Sequence, residues 1–219
     1  MIDCHLTWEK HCHNVANKIS RTTGIIGRVK NFLPAPALRI IYDSLLMSHV
    51  QYGLEIWGGC TSSKGKKRLI GIQKKAIRHL TRSHYVAHTE PRMKSLGLLR
   101  FNDQFLLQTS GLAHDIINKR CPVTLHNKLD LQKDSHHYPL RSVAENPQEL
   151  RETLANRRQI RLGFTTLGPK TWNDLPKKIK EIKSRKGFRK KLKSFILNGY
   201  AERVACVNPL CRDRRFHIH

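Results

Sequence analysis

The chain has 219 residues, 41 of them Lys or Arg against 16 Asp or Glu, for a formal net charge of +25 at pH 7 with histidine neutral. Such an excess strains a compact state by self-repulsion, so a polyanion is the expected partner: RNA, DNA or a hybrid duplex, with an acidic membrane surface second. No run of about 18 apolar residues is present to span a bilayer and no apolar segment follows Met1 to mark secretion, which leaves nucleus or cytoplasm and six reduced cysteines as the expectation.

The opening Met1-Ile2-Asp3-Cys4-His5-Leu6-Thr7-Trp8 has no cap or linker and reads as sequence from inside a longer protein. Leu6, Trp8, Val15, Ile19, Ile25, Ile26 and Val29 then fall near helical spacing, predicting a helix within residues 6–32 that Gly24 and Gly27 weaken. Leu33-Pro34-Ala35-Pro36 breaks it, and Pro36 suits the first turn of the next helix. Residues 37–57 read as one continuous helix, with Leu38, Ile41, Tyr42, Leu45, Leu46, His49 and Val50 as its apolar stripe and Gly58-Gly59 as its stop. Thr61-Ser62-Ser63 offers a cap for a third helix over 66–81, apolar at Leu69, Ile72, Ala76, Ile77 and Leu80 and basic on its other face. A fourth helix spans about 102–118, capped by Asn102 and burying Phe105, Leu106, Leu112 and Ile116.

Between Cys121 and Gly168 periodicity fades, and Pro122, Pro139 and Pro147 interrupt the chain. Within that insert, 159–167 gathers Ile160, Phe164, Thr165 and Thr166 and reads as a strand or hairpin. Gly168-Pro169-Lys170-Thr171-Trp172-Asn173-Asp174-Leu175-Pro176 predicts a single helical turn seating Trp172 in the core. A last helix runs from a Ser184 cap to Asn198, with Phe188, Leu192, Phe195 and Ile196 inward and Gly199 as its stop. The fold class is mainly α: a helical bundle, a mixed or irregular insert and a C-terminal basic helix.

The acidic residues are dispersed, and no close pair is placed to hold two metal ions for nucleotidyl transfer. Phosphate-binding glycine loops and a nucleophile elbow are missing as well. Cys206, Cys211, His217 and His219 are the one tail cluster with zinc-binding residue types. The single residue between its histidines departs from finger spacing, so no metal is expected. Trp8, Trp57 and Trp172 are read as core rather than as base-stacking platforms. Basic residues cluster at 64–68, 74–82, 151–161 and 177–193, the last with ten Lys or Arg against Glu181 alone. Acids do not intersperse as they would on an ordinary solvated face, so the clusters are candidate phosphate contacts. They comprise Lys66, Lys67, Arg68, Lys74, Lys75 and Arg78 on the third helix, Arg157 and Arg158 in the insert, and Lys186, Arg189, Lys190 and Lys193 on the last helix. The runs Lys64-Gly65-Lys66-Lys67-Arg68 and Arg189-Lys190-Lys191 also have the composition of nuclear-import signals.

Six stretches in order carry a family resemblance: Leu6-Thr7-Trp8-Glu9-Lys10-His11; Leu45 through Tyr52-Gly53-Leu54-Glu55-Ile56-Trp57-Gly58; Gln73-Lys74-Lys75-Ala76-Ile77-Arg78; Ala87-His88-Thr89-Glu90-Pro91 with Leu96; Leu99-Arg100-Phe101-Asn102-Asp103; and the Gly168-to-Pro176 motif. In these the chain resembles the C-terminal part of reverse transcriptases of non-LTR (LINE-type, jockey-like) retrotransposons. The resemblance implies an end of a primer-grip-like region at 1–14, a thumb-like helical region at 15–82 and a post-thumb region at 83–199; residues 200–219, beyond the matching stretches, read as a Cys/His-bearing, disordered tail. It also implies that the Asp-Asp-bearing palm lies upstream and that magnesium serves only the complete polymerase. The expected role is therefore to hold RNA or a template–primer duplex through its backbone, without catalysis or sequence preference, beside a palm-containing polymerase chain. The alternative is a repurposed stand-alone basic adaptor for nucleic acid.

Overall fold

A computed structural model of the chain describes residues 6–132 and 148–204. The described residues are 67% helical and form no sheet, in agreement with the mainly-α expectation. An isolated antiparallel bridge joins Leu131 to Leu150 across the insert.

Helix α1, Glu9–Val29, buries Cys12, Val15, Ala16, Ile19 and Ile26 at three- and four-residue steps. Its two glycines differ in purpose. A Cβ at Gly24 would meet nothing within 4 Å, whereas one at Gly27 would lie 3.2 Å from the His79 ring, so Gly27 admits a neighbouring helix. Pro34 is extended (ψ 157) and starts α2, Ala35–Ile41, with Pro36 in its first turn.

The single helix expected over 37–57 is instead a series. From α2 the chain continues through a π-helical turn, Tyr42–Met47, into α3, Ser48–Gln51. Extra residues per turn rotate the buried face onto Tyr42, Leu46, Met47 and Val50, leaving Leu45, expected inside, 45% exposed. The helix then breaks where Tyr52 is extended (ψ 110) and Gly53 is left-handed (φ 60), before α4, Leu54–Trp57. Gly58 and Gly59 are not left-handed stops. A Cβ would sit 2.6 Å from Phe105 at Gly58 and 2.3 Å from the Leu162 carbonyl oxygen at Gly59, so both permit close packing.

Helix α5, Ser63–Leu80, begins three residues ahead of the expected 66 but is capped from the expected stretch, with Ser62 Oγ accepting the Gly65 N–H at 3.2 Å. It lies along α1. Buried Gln73 joins it to the rest of the fold: its amide nitrogen donates to the Leu99 carbonyl (2.9 Å) and Tyr42 hydroxyl (3.1 Å), and its oxygen accepts the Phe101 N–H (3.0 Å). After α6, Glu90–Ser95, which the sequence reading lacks, comes the central helix α7, Phe101–Ile117. Asn102 does not cap it. Arg100 holds that position, ion-paired to Glu90 and Asp103 at 2.8 Å each, and Asn102 lies inside the first turn. A short helix α8, Val123–His126, precedes the insert.

The strand expected over 159–167 is absent among the described residues. Two helices take its place, α9, Arg158–Arg161, and α10, Phe164–Asn173. The local β-branched residues find no partner strand, and Thr166 instead donates its hydroxyl to the Ile160 carbonyl at 3.0 Å. Trp172 is 1% exposed, as expected for a core residue, though in a helix longer than one turn. Its indole donates to the Gln148 carbonyl (2.8 Å) and stacks with Phe188 at 5.8 Å between centroids.

Helix α11, Lys177–Lys180, leads to α12, Arg185–Val204, which packs on α6 and α7. Ser184 Oγ accepts the Gly187 N–H at 3.4 Å. Gly199 does not end the helix, because Tyr200 anchors the following turn: it is fully buried, donates to Asp103 and accepts the Arg100 N–H at 3.0 Å. The Cys206, Cys211, His217 and His219 cluster lies outside the described residues, as do Pro139 and Pro147.

Candidate nucleic-acid interface

Helical geometry decides which lysines of α5 face outward. Lys64, Lys67, Arg68, Lys74 and Lys75 are exposed, and with exposed Gly71 they form a stripe at three- and four-residue steps. No acid occurs on α5, and Glu9 is the only acid on α1. On its exposed side α1 adds Lys10, Lys18, Arg21 and Arg28. These four are missing from the candidates drawn from sequence. Their signal is periodicity rather than density, because isolated basic residues three to eight positions apart never form a visible run.

Arg68 bridges the two helices, donating to His13 Nδ1 and to Asn17 Oδ1 at 2.9 Å each. That pairing fixes the guanidinium at the seam between α1 and α5, where its other N–H groups remain for an anion. Lys66 and Arg78 are placed differently. Lys66 is half-buried, and burial pushes its ammonium below the usual lysine range against an opposing effect of Cys60 and Cys12. Half-buried Arg78 donates to the Ala87 carbonyl at 3.0 Å and supports the loop after α5.

The remaining candidates do not join this stripe. Arg157 is exposed in the insert, and the side chain of Arg158 lies outside the described residues. Lys186, Arg189 and Lys190 are exposed on α12, and Lys193 is half-buried there. Arg189 lies across Gly111 of α7, where a Cβ would come within 3.1 Å of its Nε. With Lys193 it borders a cleft of about 250 Å³ that also includes Arg39 and Asp43. Asp43 is itself ion-paired to Arg39 at 2.6 Å, as an exposed helix aspartate can be.

The motifs that carry the resemblance occupy positions that determine the fold. Trp57 donates its indole N–H to the Tyr52 carbonyl at 2.8 Å across the Gly53 turn. Gln73 and Arg100 supply the buried ties around α7. Asn173 clamps Leu150 from both sides, donating to its carbonyl and accepting its N–H at 2.9 Å each. Among the described residues, no group of three or more His, Cys, Asp or Glu could hold a metal ion, and no helix is long and apolar enough to cross a membrane. No family model, curated protein or solved structure matches the chain.

Proposed function

We propose that the chain is the thumb and C-terminal part of a non-LTR retrotransposon reverse transcriptase, and that it holds RNA or a template–primer duplex by its phosphate backbone. The observation that carries the binding claim is the acid-free exposed stripe of Lys64, Lys67, Arg68, Lys74 and Lys75. From Lys64 to Lys75 a helix rises about 16 Å. A duplex of that length presents roughly nine phosphate charges, more than the stripe can neutralise, so every outward side chain has a partner available. Such contacts fix position and orientation without reading bases, and they suit recognition of a hybrid duplex by shape. The six ordered motifs support the polymerase origin.

In this reading the metal-binding carboxylates belong to the palm, so the chain alone incorporates no nucleotide. Purified protein should give no product in a primer-extension assay with magnesium, while retaining affinity for an RNA–DNA hybrid. With about six phosphate contacts, that affinity should fall roughly 10³-fold between 50 and 200 mM salt. A flat salt response contradicts backbone binding, and magnesium-dependent incorporation contradicts the assignment to a palm-less region.

One observation favours a second reading, the repurposed adaptor. A single buried cluster runs from Cys12 on α1 to Tyr200 on α12, so the helices share one core. Cooperative unfolding of a monomer supports that reading, whereas aggregation of the isolated chain supports dependence on a palm-bearing partner.

A further inference from the structure

A cleft of about 450 Å³ lies between α1 and the segment at His49 and Tyr52, within the roughly 300–1,000 Å³ range of small-molecule sites. Its polar lining is Asn14, Asn17, Lys18, Arg21, His49 and Tyr52, with no carboxylate. Lys18 and Arg21 therefore set a positive potential there that nothing in the lining offsets. Tyr52 is 80% exposed, so its ring is open to a planar ligand, while its backbone carbonyl is already taken by Trp57. His11 also borders the cleft, packed edge-on to Trp57 at 5.1 Å, and its Nε2 is buried without a hydrogen-bond partner among the described residues.

These features fit a ligand with an anionic end, polar edges and a flat face. The volume admits one nucleotide but not a double helix, and an open aromatic ring beside paired cations is the arrangement by which single-strand binders hold an unstacked base. We infer that the cleft binds one nucleotide of a single strand, its phosphate on Lys18 and Arg21 and its base against the Tyr52 ring. Asn17 connects this cleft to the duplex-facing stripe, since it also accepts Arg68. A strand leaving the duplex would find the cleft at the border of the stripe. The inference shares with the duplex reading its class of ligand and the α1 cations Lys18 and Arg21, while Tyr52 belongs to the cleft alone and Lys74 and Lys75 to the stripe alone, so the two can fail separately.

The test is a titration of the ¹⁵N-labelled full chain with uridine 5′-monophosphate, inorganic phosphate and uridine in turn. The nucleotide should produce saturating amide shifts at Asn14, Lys18, His49 and Tyr52, with inorganic phosphate and uridine each at least about tenfold weaker, because charge and stacking act together. Tyr52→Ala, which removes only an exposed ring, should weaken the nucleotide about fivefold or more, and Arg21→Gln should also weaken it. Lys74→Gln with Lys75→Gln should leave nucleotide binding unchanged while lowering hybrid affinity. Equal affinity for nucleotide and inorganic phosphate overturns the inference, as do shifts confined to α5 or an unaltered Tyr52→Ala. Loss of hybrid binding alone leaves it standing.

Discussion

Lys66 and Lys67 are neighbours in sequence with different surroundings. One helical residue turns the side chain by about 100°, enough to move Lys66 toward Cys12 and Cys60 while Lys67 stays outward. Replacing Lys67, Lys74 or Lys75 by Gln should each lower the salt slope of hybrid binding by about 1. Lys66→Gln should leave that slope unchanged; fluorescence anisotropy across a salt series distinguishes them. Residue type made all four lysines candidates, but direction depends on which face of α5 is buried, and the cluster alone does not contain that. The glycines divide in the same way. Gly24→Ala and Gly71→Ala meet open space and should stabilise by roughly 0.5–1 kcal/mol each. Gly59→Ala would drive a Cβ to 2.3 Å from the Leu162 carbonyl oxygen, and should destabilise by about 1–3 kcal/mol. Denaturant unfolding measures both signs.

At the level of elements, periodicity located α1, α5, α7 and α12 because each presents a regular apolar face to a neighbour. It failed where a tertiary contact overrides local pattern: Gly53 breaks the long helix, Tyr200 carries α12 past Gly199, and α10 forms where β-branched residues suggested a strand. Trp172 was legible as core from its motif, and Trp172→Ala should cost about 3–5 kcal/mol by loss of packing. The α1–α5 pair should also respond to pH. Burial holds both His11 and His79 below the usual imidazole range, reinforced by Lys18 near His11 and by Lys30 and Lys75 near His79. Both are therefore neutral in the fold and take up protons more readily when unfolded. Stability should be level above about pH 7.5 and decline as pH falls through about 6.5. His79→Gln should reduce that decline, read as thermal midpoint against pH.

On the scale of the whole molecule, the net charge of +25 is the ground for proposing a polyanion partner, but it spreads the candidate contacts over four clusters. Packing concentrates five of the outward basic residues on α5, and α1, which lies along it, exposes four more, while α12 lies against α6 and α7. On the proposed function, the α1–α5 face, rather than the densest basic run at 177–193, holds the duplex. Photo-crosslinking a short RNA–DNA hybrid to the full chain, with crosslinked peptides mapped by mass spectrometry, distinguishes the two faces. Crosslinks should fall within 9–29 and 63–80. Crosslinks confined to 177–193 or to 151–161 would contradict it.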